Sequence, residues 1–209
     1  MDKKEHSKIT GIGSALVDLL VNESDQFLAD LGKEKGGMTL VDDTDIQHIL
    51  SQTSRKPDVV PGGAACNTIL GVSMLGGETA FIGRRGDDEL GRLFEDHLKK
   101  CNVHPHTTVS SAPTGKVLSV ITPDAQRSMF TFLGASTGMT PDMVTPDLFK
   151  NSAIAMIEGY LLFNRDLMMA ALKAAKEANA SIALDLASFE VVNGAKDILD
   201  DLVKEYVDI

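Results

Sequence analysis

The sequence predicts an α/β fold: a mostly parallel central sheet with helices on both faces and a small additional β-sheet. Strand-like runs alternate with amphipathic helical patterns, mainly in the second half, which is typical of strands joined by helical crossovers. Two segments interrupt this rhythm with short β-like pieces. The composition is that of a globular protein, with 43% hydrophobic and 24% charged residues. A length of 209 residues suits one large domain, 1–209.

The alternating elements can be placed along the chain. Strands are predicted within 8–13, 79–83, 153–163 and 181–186, and helices at 89–101, 166–180 and 195–206. In 89–101 apolar residues recur every three or four positions, which indicates an amphipathic helix. We expect Asp87 or Asp88 to cap its N-terminus.

Two regions break the rhythm. Residues 16–60 mix β-like pieces with a polar helical stretch around 42–52, and residues 107–133 hold two β-like runs joined by the turn 123–126. We expect the segments 16–41 and 107–133 to form a small β-lid. Residues 207–209 look like the start of one more strand. Because a buried parallel strand rarely ends a domain, we expect a C-terminal part to be missing.

Charge and composition exclude several classes of function. The net charge of −10 argues against non-specific binding to nucleic acid or anionic membrane. No apolar run approaches the length of a membrane span, and a reducing, cytoplasmic setting is expected. Cys66 and Cys101 lie in apolar helical patterns and are interpreted as buried thiols. His104 and His106 lack further ligands nearby, so no metal site is predicted.

The stretch PGGAACNTILGVSMLGG, residues 61–77, raises a question about ligand binding. Gly62 and Gly63 would let a ligand approach the backbone closely. A helix starting at Ala64 would point its free N–H groups at the same space. Asn67, in its first turn, offers a donor and an acceptor, as a polyhydroxylated ligand requires. The alternative is a tight turn followed by an asparagine that bonds to local backbone.

Asp18 allows two interpretations in GIGSALVDLLV, residues 11–21. It is either an outward residue of an amphipathic strand or a carboxylate that accepts two sugar hydroxyl protons. The G-x-G at its start lacks the third glycine of a dinucleotide fingerprint, since position 16 is Leu. The sequence also contains no G-x-x-x-x-G-K-[ST] motif, so a P-loop protein is excluded.

Residues 61–103, from PGGAACN to KKCNV, resemble the N-terminal signature region of the ribokinase-like (PfkB) carbohydrate kinases, which include adenosine kinases. Residues 11–21, 157–162 and 182–192 resemble further parts of that family, in the same order. The resemblance implies a β-lid over a sugar site in the α/β fold. It also implies transfer of the γ-phosphoryl group of ATP, with Mg²⁺, to a hydroxyl of a sugar or nucleoside.

The resemblance also assigns roles to residues. Asp18 and Asn67 would hydrogen-bond substrate hydroxyls, Gly62 and Gly63 would line the sugar through their backbone, and Glu158 would add a further polar contact. The family's catalytic aspartate motif G-A-G-D and its N-x-x-E motif do not occur in the sequence. No catalytic residue or metal ligand is therefore assigned, ATP and Mg²⁺ would bind mostly to the missing C-terminal part, and the chain alone is expected to be inactive.

Two functions remain open from the sequence. The first is the substrate-binding part of an ATP-dependent sugar or nucleoside kinase, and the second is a non-catalytic sugar-binding or interaction protein built from a shortened kinase fold. Residues 157–162 and the insert 22–58 favour the adenosine kinase-like branch. The lid is also a candidate surface for a homodimer.

Overall fold

Residues 7–33 and 35–209 are described by the computed structural model, and within them the chain forms two five-stranded sheets. The strands are β1 (Lys8–Ile12), β2 (Leu16–Asn22), β3 (Met38–Leu40), β4 (Asp58–Gly62), β5 (Thr79–Gly86), β6 (Val103–Ser110), β7 (Gly115–Ile121), β8 (Arg127–Phe132), β9 (Ser152–Ile157) and β10 (Ser181–Leu184).

The helices of the described residues lie between these strands and after the last of them. They are α1 (Asp25–Asp30), α2 (Asp43–Gln52), α3 (Ala64–Met74), α4 (Glu89–Lys100), α5 (Arg165–Glu177), α6 (Phe189–Gly194) and α7 (Lys196–Tyr206). Short 3-10 turns follow β8 and β9, the last of them at Gly159–Phe163. The helices predicted at 89–101, 166–180 and 195–206 are confirmed to within a few residues.

The central sheet has the order β10-β9-β1-β5-β6, and all of its neighbouring strands are parallel. Successive side chains of a strand point to opposite faces. Phe81 therefore packs on the face covered by α3 and α4, whereas Ile82 belongs to the core on the α5 face. The prediction of a parallel sheet with helices on both faces is confirmed.

The second sheet has the order β3-β8-β7-β2-β4 and is mixed. Its strands come from the segments 16–41 and 107–133 and from β4, which the sequence pattern did not indicate as a strand. β6 stays in the central sheet as far as Ser110, because its register with β5 is unbroken from Val103 onward. One face of this sheet buries Val17, Leu118 and Phe130 in the core shared with α3 and α4.

The last residues of the chain pair with β10. Asp208 N donates to Ile182 O (2.8 Å), and Leu184 N donates to Ile209 O (3.2 Å). The segment 207–209 does not form a regular strand, so the expected start of a further strand is not confirmed, although these hydrogen bonds attach the segment to β10. In residues 7–33 and 35–209, no helix is both long enough and apolar enough to cross a membrane.

The two sheets are connected at the start of β7 by a compact hydrogen-bond network. Thr114 is fully buried, and its N–H and hydroxyl both donate to the Asp88 carboxylate, at 2.7 and 2.5 Å. The same hydroxyl accepts from Gly86 N at 2.9 Å. Asp88 also accepts from Gly91 N (2.8 Å), so it is Asp88 that caps α4. Asp88 thus joins the end of β5, the start of α4 and the start of β7.

We expect Thr114→Val to lower the free energy of unfolding by about 1–3 kcal/mol, because a buried N–H and a carboxylate oxygen each lose a partner. Urea denaturation measures the change. Thr108→Val is the matched control, since Thr108 is exposed on β6 and, among the described residues, its hydroxyl has no hydrogen-bond partner. Equal effects of the two substitutions would contradict the structural role of this network.

Candidate functional site

A cavity of about 240 Å³ lies between the second sheet and the carboxyl end of the central sheet. Four strands of the second sheet, β2, β3, β7 and β8, form one wall. The opposite side comprises Ser14, which follows β1, the start of α3, and the segment after β9. Crevices at the carboxyl ends of parallel strands are the usual ligand sites of open α/β sheets. The position of this cavity therefore marks it as the candidate site.

The structure brings the sequence-predicted residues together at this cavity. Asp18, Gly63, Asn67 and Glu158 line it, although they come from three separate parts of the chain. Gly62 lies directly beside the Asp18 side chain. The predicted set thus converges in space.

Asp18 lies in the middle of the second sheet, paired with Val60 of β4 and Val117 of β7. Its neighbours Val17 and Leu19 point into the core, so strand alternation turns Asp18 toward the cavity. Burial raises the pKa of the Asp18 carboxyl, and the positive charge of Arg127 partly opposes that shift. No described residue hydrogen-bonds to this carboxylate, so its oxygens are free to accept hydrogen bonds from a ligand.

Gly62 leaves space for the Asp18 carboxylate, and Gly63 leaves space at the start of α3. At Gly62 an added Cβ would lie 2.7 Å from Cγ of Asp18, in the space that the carboxylate occupies. Gly63 has φ +99°, and an added Cβ there would lie 2.5 Å from the Ser14 carbonyl oxygen. A side chain at either position would displace the Asp18 carboxylate or the start of α3.

Helix α3 begins at Ala64, as the sequence predicted, and Gly63 precedes it as the N-cap. Asn67 N donates to Gly63 O (2.9 Å), which is the first helical hydrogen bond. The Asn67 side chain is exposed at the cavity and makes no hydrogen bond with any described residue. Within the described part of the chain, the alternative of an asparagine that bonds to local backbone is therefore not observed.

Glu158 is 1% exposed and follows β9 directly. One carboxylate oxygen accepts from Ser14 N (3.3 Å) and the other from Ala65 N (3.0 Å). Burial raises the pKa of this carboxyl, and those two N–H donors oppose the shift. Glu158 thus combines contact with the cavity and two backbone hydrogen bonds.

The mostly apolar wall of the cavity was not predicted from the sequence. This wall is formed by the side chains of Leu16, Met38, Leu40, Val117, Met129 and Leu133. On β2, β7 and β8 these residues alternate with core residues, so the period of two in each strand was the available signal. The same wall also carries the polar side chains of Ser119, Arg127 and Thr131. Tyr160 and Phe163, whose ring centroids are 6.1 Å apart, lie on the opposite side of the cavity.

The remaining chemistry-bearing residues do not form a second centre. Among the described residues, no group of three or more His, Cys, Asp and Glu side chains could hold a metal ion. No described residue is therefore assigned a role in binding Mg²⁺. Cys66 and Cys101 are free thiols, and burial, followed by the charges of Glu158 and Asp18, raises the pKa of Cys66 to about 12.

The contact between Gly62 and Asp18 leads to a stability prediction. Gly62→Ala should lower the free energy of unfolding by about 1–3 kcal/mol, because the new methyl group overlaps the carboxylate. Gly71→Ala in α3 is the control, since an added Cβ there meets no described atom within 4 Å. Alanine should stabilise that helix by about 0.5–1 kcal/mol. Thermal and urea denaturation measure both, and a neutral Gly62→Ala would contradict the close contact.

Comparison with known proteins gives consistent results. The family model described as pfkB family carbohydrate kinase matches residues 38–209. Fructokinase-1 of Zea mays is 33% identical over 132 residues, which cover 60% of this chain and 41% of that protein. The chain therefore spans less than half the length of the curated relatives it matches.

Solved structures match over nearly the whole chain. The adenosine kinase from Sinorhizobium meliloti has a TM-score of 0.88 and 29% identity, covering 97% of this chain and 64% of that one. A probable sugar kinase protein from Rhizobium etli CFN 42 has a TM-score of 0.89 and 28% identity, covering 98% of this chain and 63% of that one. With the family model matching most of its length, this chain belongs to the pfkB family of carbohydrate kinases.

Proposed function

We propose that this chain provides the substrate-binding part of an ATP-dependent kinase that phosphorylates a hydroxyl of a nucleoside or sugar. The observation that carries the proposal is the division of the cavity into a polar end and an apolar wall. Asp18 and Asn67 form the polar end, and neither side chain has a hydrogen-bond partner among the described residues. A half-buried carboxylate without a partner is unfavourable in a free protein, so a hydroxylated ligand is its expected partner.

Each polar group has a distinct role in this proposal. The Asp18 carboxylate accepts from two ligand hydroxyls, and the Asn67 amide both donates and accepts. Gly62 and Gly63 bring the backbone against the ligand without a side chain between them. These contacts would fix one end of the ligand, so that its reacting hydroxyl is presented in a constant orientation.

The apolar wall favours a nucleoside over a simple sugar. A sugar carries hydroxyls around its whole ring, and Ser119, Arg127 and Thr131 could pair with some of them. Those that face Met38, Val117 and Met129 would be desolvated without partners. A nucleoside carries its hydroxyls on the ribose and a flat base at the other end. Tyr160 and Phe163 offer aromatic faces to such a base. We therefore propose adenosine as the preferred ligand, with fructose and ribose as weaker ones.

ATP and Mg²⁺ enter this proposal through the family alone. Bound Mg·ATP supplies the phosphoryl group and offsets the charge that develops on it during transfer. The residues of this chain contribute binding and orientation of the acceptor, and exclusion of water by the second sheet. None of them is proposed as the general base.

The proposal is tested by ligand binding to the 209-residue chain. Isothermal titration calorimetry with adenosine, fructose and ribose should give tightest binding for adenosine, and Asp18→Asn and Asn67→Ala should each weaken it about tenfold or more. Gly71→Ala should bind as the wild type does. A chain that binds none of the three ligands, or that binds them equally well without Asp18 and Asn67, would refute the proposal. These measurements test the binding role alone, and no AMP is expected from this chain with ATP and Mg²⁺, because none of its residues is proposed as the general base.

A second prediction concerns pH. Adenosine affinity should fall as the pH drops through the pKa of Asp18, because a protonated carboxyl loses an acceptor oxygen. Arg127 favours the ionised form of Asp18, so Arg127→Gln should raise that pKa further and move the loss of affinity to higher pH. Carboxyl ¹³C NMR titration measures the Asp18 pKa directly. Arg92→Gln, on the exposed face of α4, should leave it unchanged.

A further inference from the structure

Glu158 is placed where three segments of the site meet. Its backbone N–H donates to Ile12 O (3.1 Å), which continues the pairing of β1 and β9 by one residue. Its side chain then turns into the interior and is 1% exposed. An added Cβ at Gly13 would lie 2.8 Å from the Glu158 carboxyl carbon, so the β1–β2 connection passes directly against this group.

The two carboxylate oxygens bind two different segments. Oε1 accepts from Ser14 N (3.3 Å), in the connection that leads to β2 and Asp18. Oε2 accepts from Ala65 N (3.0 Å), in the first turn of the helix that carries Asn67. One side chain therefore bonds to the backbones that carry both polar groups of the cavity.

The ionised form of Glu158 is the one that suits this arrangement. A carboxylate accepts through both oxygens, whereas a protonated carboxyl uses one oxygen as a donor. Both partners are N–H donors, so protonation would leave one of them unpaired. The positive end of the α3 dipole favours the charge, while burial and Asp185, at the end of β10, oppose it. Cys66 is the nearby titratable group on α3, and its raised pKa keeps it neutral.

We propose that Glu158 is a positioning residue: its carboxylate holds the β2 side and the α3 side of the cavity in fixed relation. This role differs from the substrate contact that the family resemblance implies. The geometry alone supports it, and only its ligand-binding readout rests on the proposed function. A neutral side chain of the same size cannot accept both hydrogen bonds, so the ionised carboxylate is needed to hold both segments.

The test compares Glu158→Gln with Glu190→Gln. Glutamine has the size of glutamate but carries one NH₂ group, which must face either Ser14 N or Ala65 N and cannot accept from it. In Glu158→Gln, hydrogen exchange at one or both of these amides should become about tenfold faster, and adenosine affinity should fall about tenfold. Glu190 is exposed on α6, so its substitution should change neither.

A second measurement follows the pH dependence of the two amide protons in the wild type and in Glu158→Gln. In the wild type, the NMR shifts of the Ser14 and Ala65 amide protons should follow one common titration with a midpoint above the ordinary range of glutamate, and this titration should vanish in Glu158→Gln. A carboxylate that held only one of the two segments would shift only one of the two amides. Unchanged exchange at both amides in Glu158→Gln, or separate titrations in the wild type, would overturn the proposal. Lost affinity with both amides unaffected would show a substrate contact instead. If the wild type binds no adenosine, the proposed function fails, and the amide measurements still decide the role of Glu158.

Discussion

The structure depends on close backbone approach where the chain crosses between its two sheets. The second crossing begins at Gly63, which adopts φ +99° with the carbonyl oxygen of Ser14, on the first crossing, in the space that a side chain would need. At another, an added Cβ at Gly115 would lie 2.5 Å from Leu133 O. The buried network of Thr114 and Asp88 fixes the same passage to α4. Because these crossings are tight, the second sheet stands against the carboxyl end of the central sheet and encloses a cavity there.

The sequence predicted those elements whose pattern is local. The amphipathic repeat at 89–101 and the strand at 79–83 were both correct in type and nearly correct in bounds, since each is specified by its own periodicity. β4 was missed because DVVPG is short and contains a proline, so it reads as part of the glycine loop. Its strand character comes from pairing with β2, which is a long-range interaction. The extent of β6 was likewise decided by its register with β5.

The residues of the candidate site also divide into those that a local sequence pattern indicates and those that only the folded chain brings together. The sequence indicated Asp18 and Asn67 because each differs in polarity from its neighbours: Asp18 is a carboxylate among apolar residues, and Asn67 is an amide at the start of an apolar helix. It indicated the two glycines because they are consecutive and stand directly before that helix. The apolar wall gave no such contrast, because Met38 or Val117 in a strand is indistinguishable from a core residue until the sheet is placed. The double hydrogen bonding of Glu158 was also invisible, since Ser14 and Ala65 lie more than ninety positions away in the sequence.

The comparisons and the cavity bear on substrate choice in different ways. The sequence match to the fructokinase of Zea mays covers 60% of the chain, whereas the structural match to the adenosine kinase of Sinorhizobium meliloti covers 97%. Polar residues such as Asp18 and Asn67 would suit the hydroxyls of either kind of ligand. Under the proposed function, discrimination would therefore fall to the wall of the second sheet and to Tyr160 and Phe163, which also line the cavity. An apolar wall rejects a fully hydroxylated sugar by leaving its hydroxyls unpaired, so the strands of this sheet, rather than the glycine–asparagine stretch, would set the specificity.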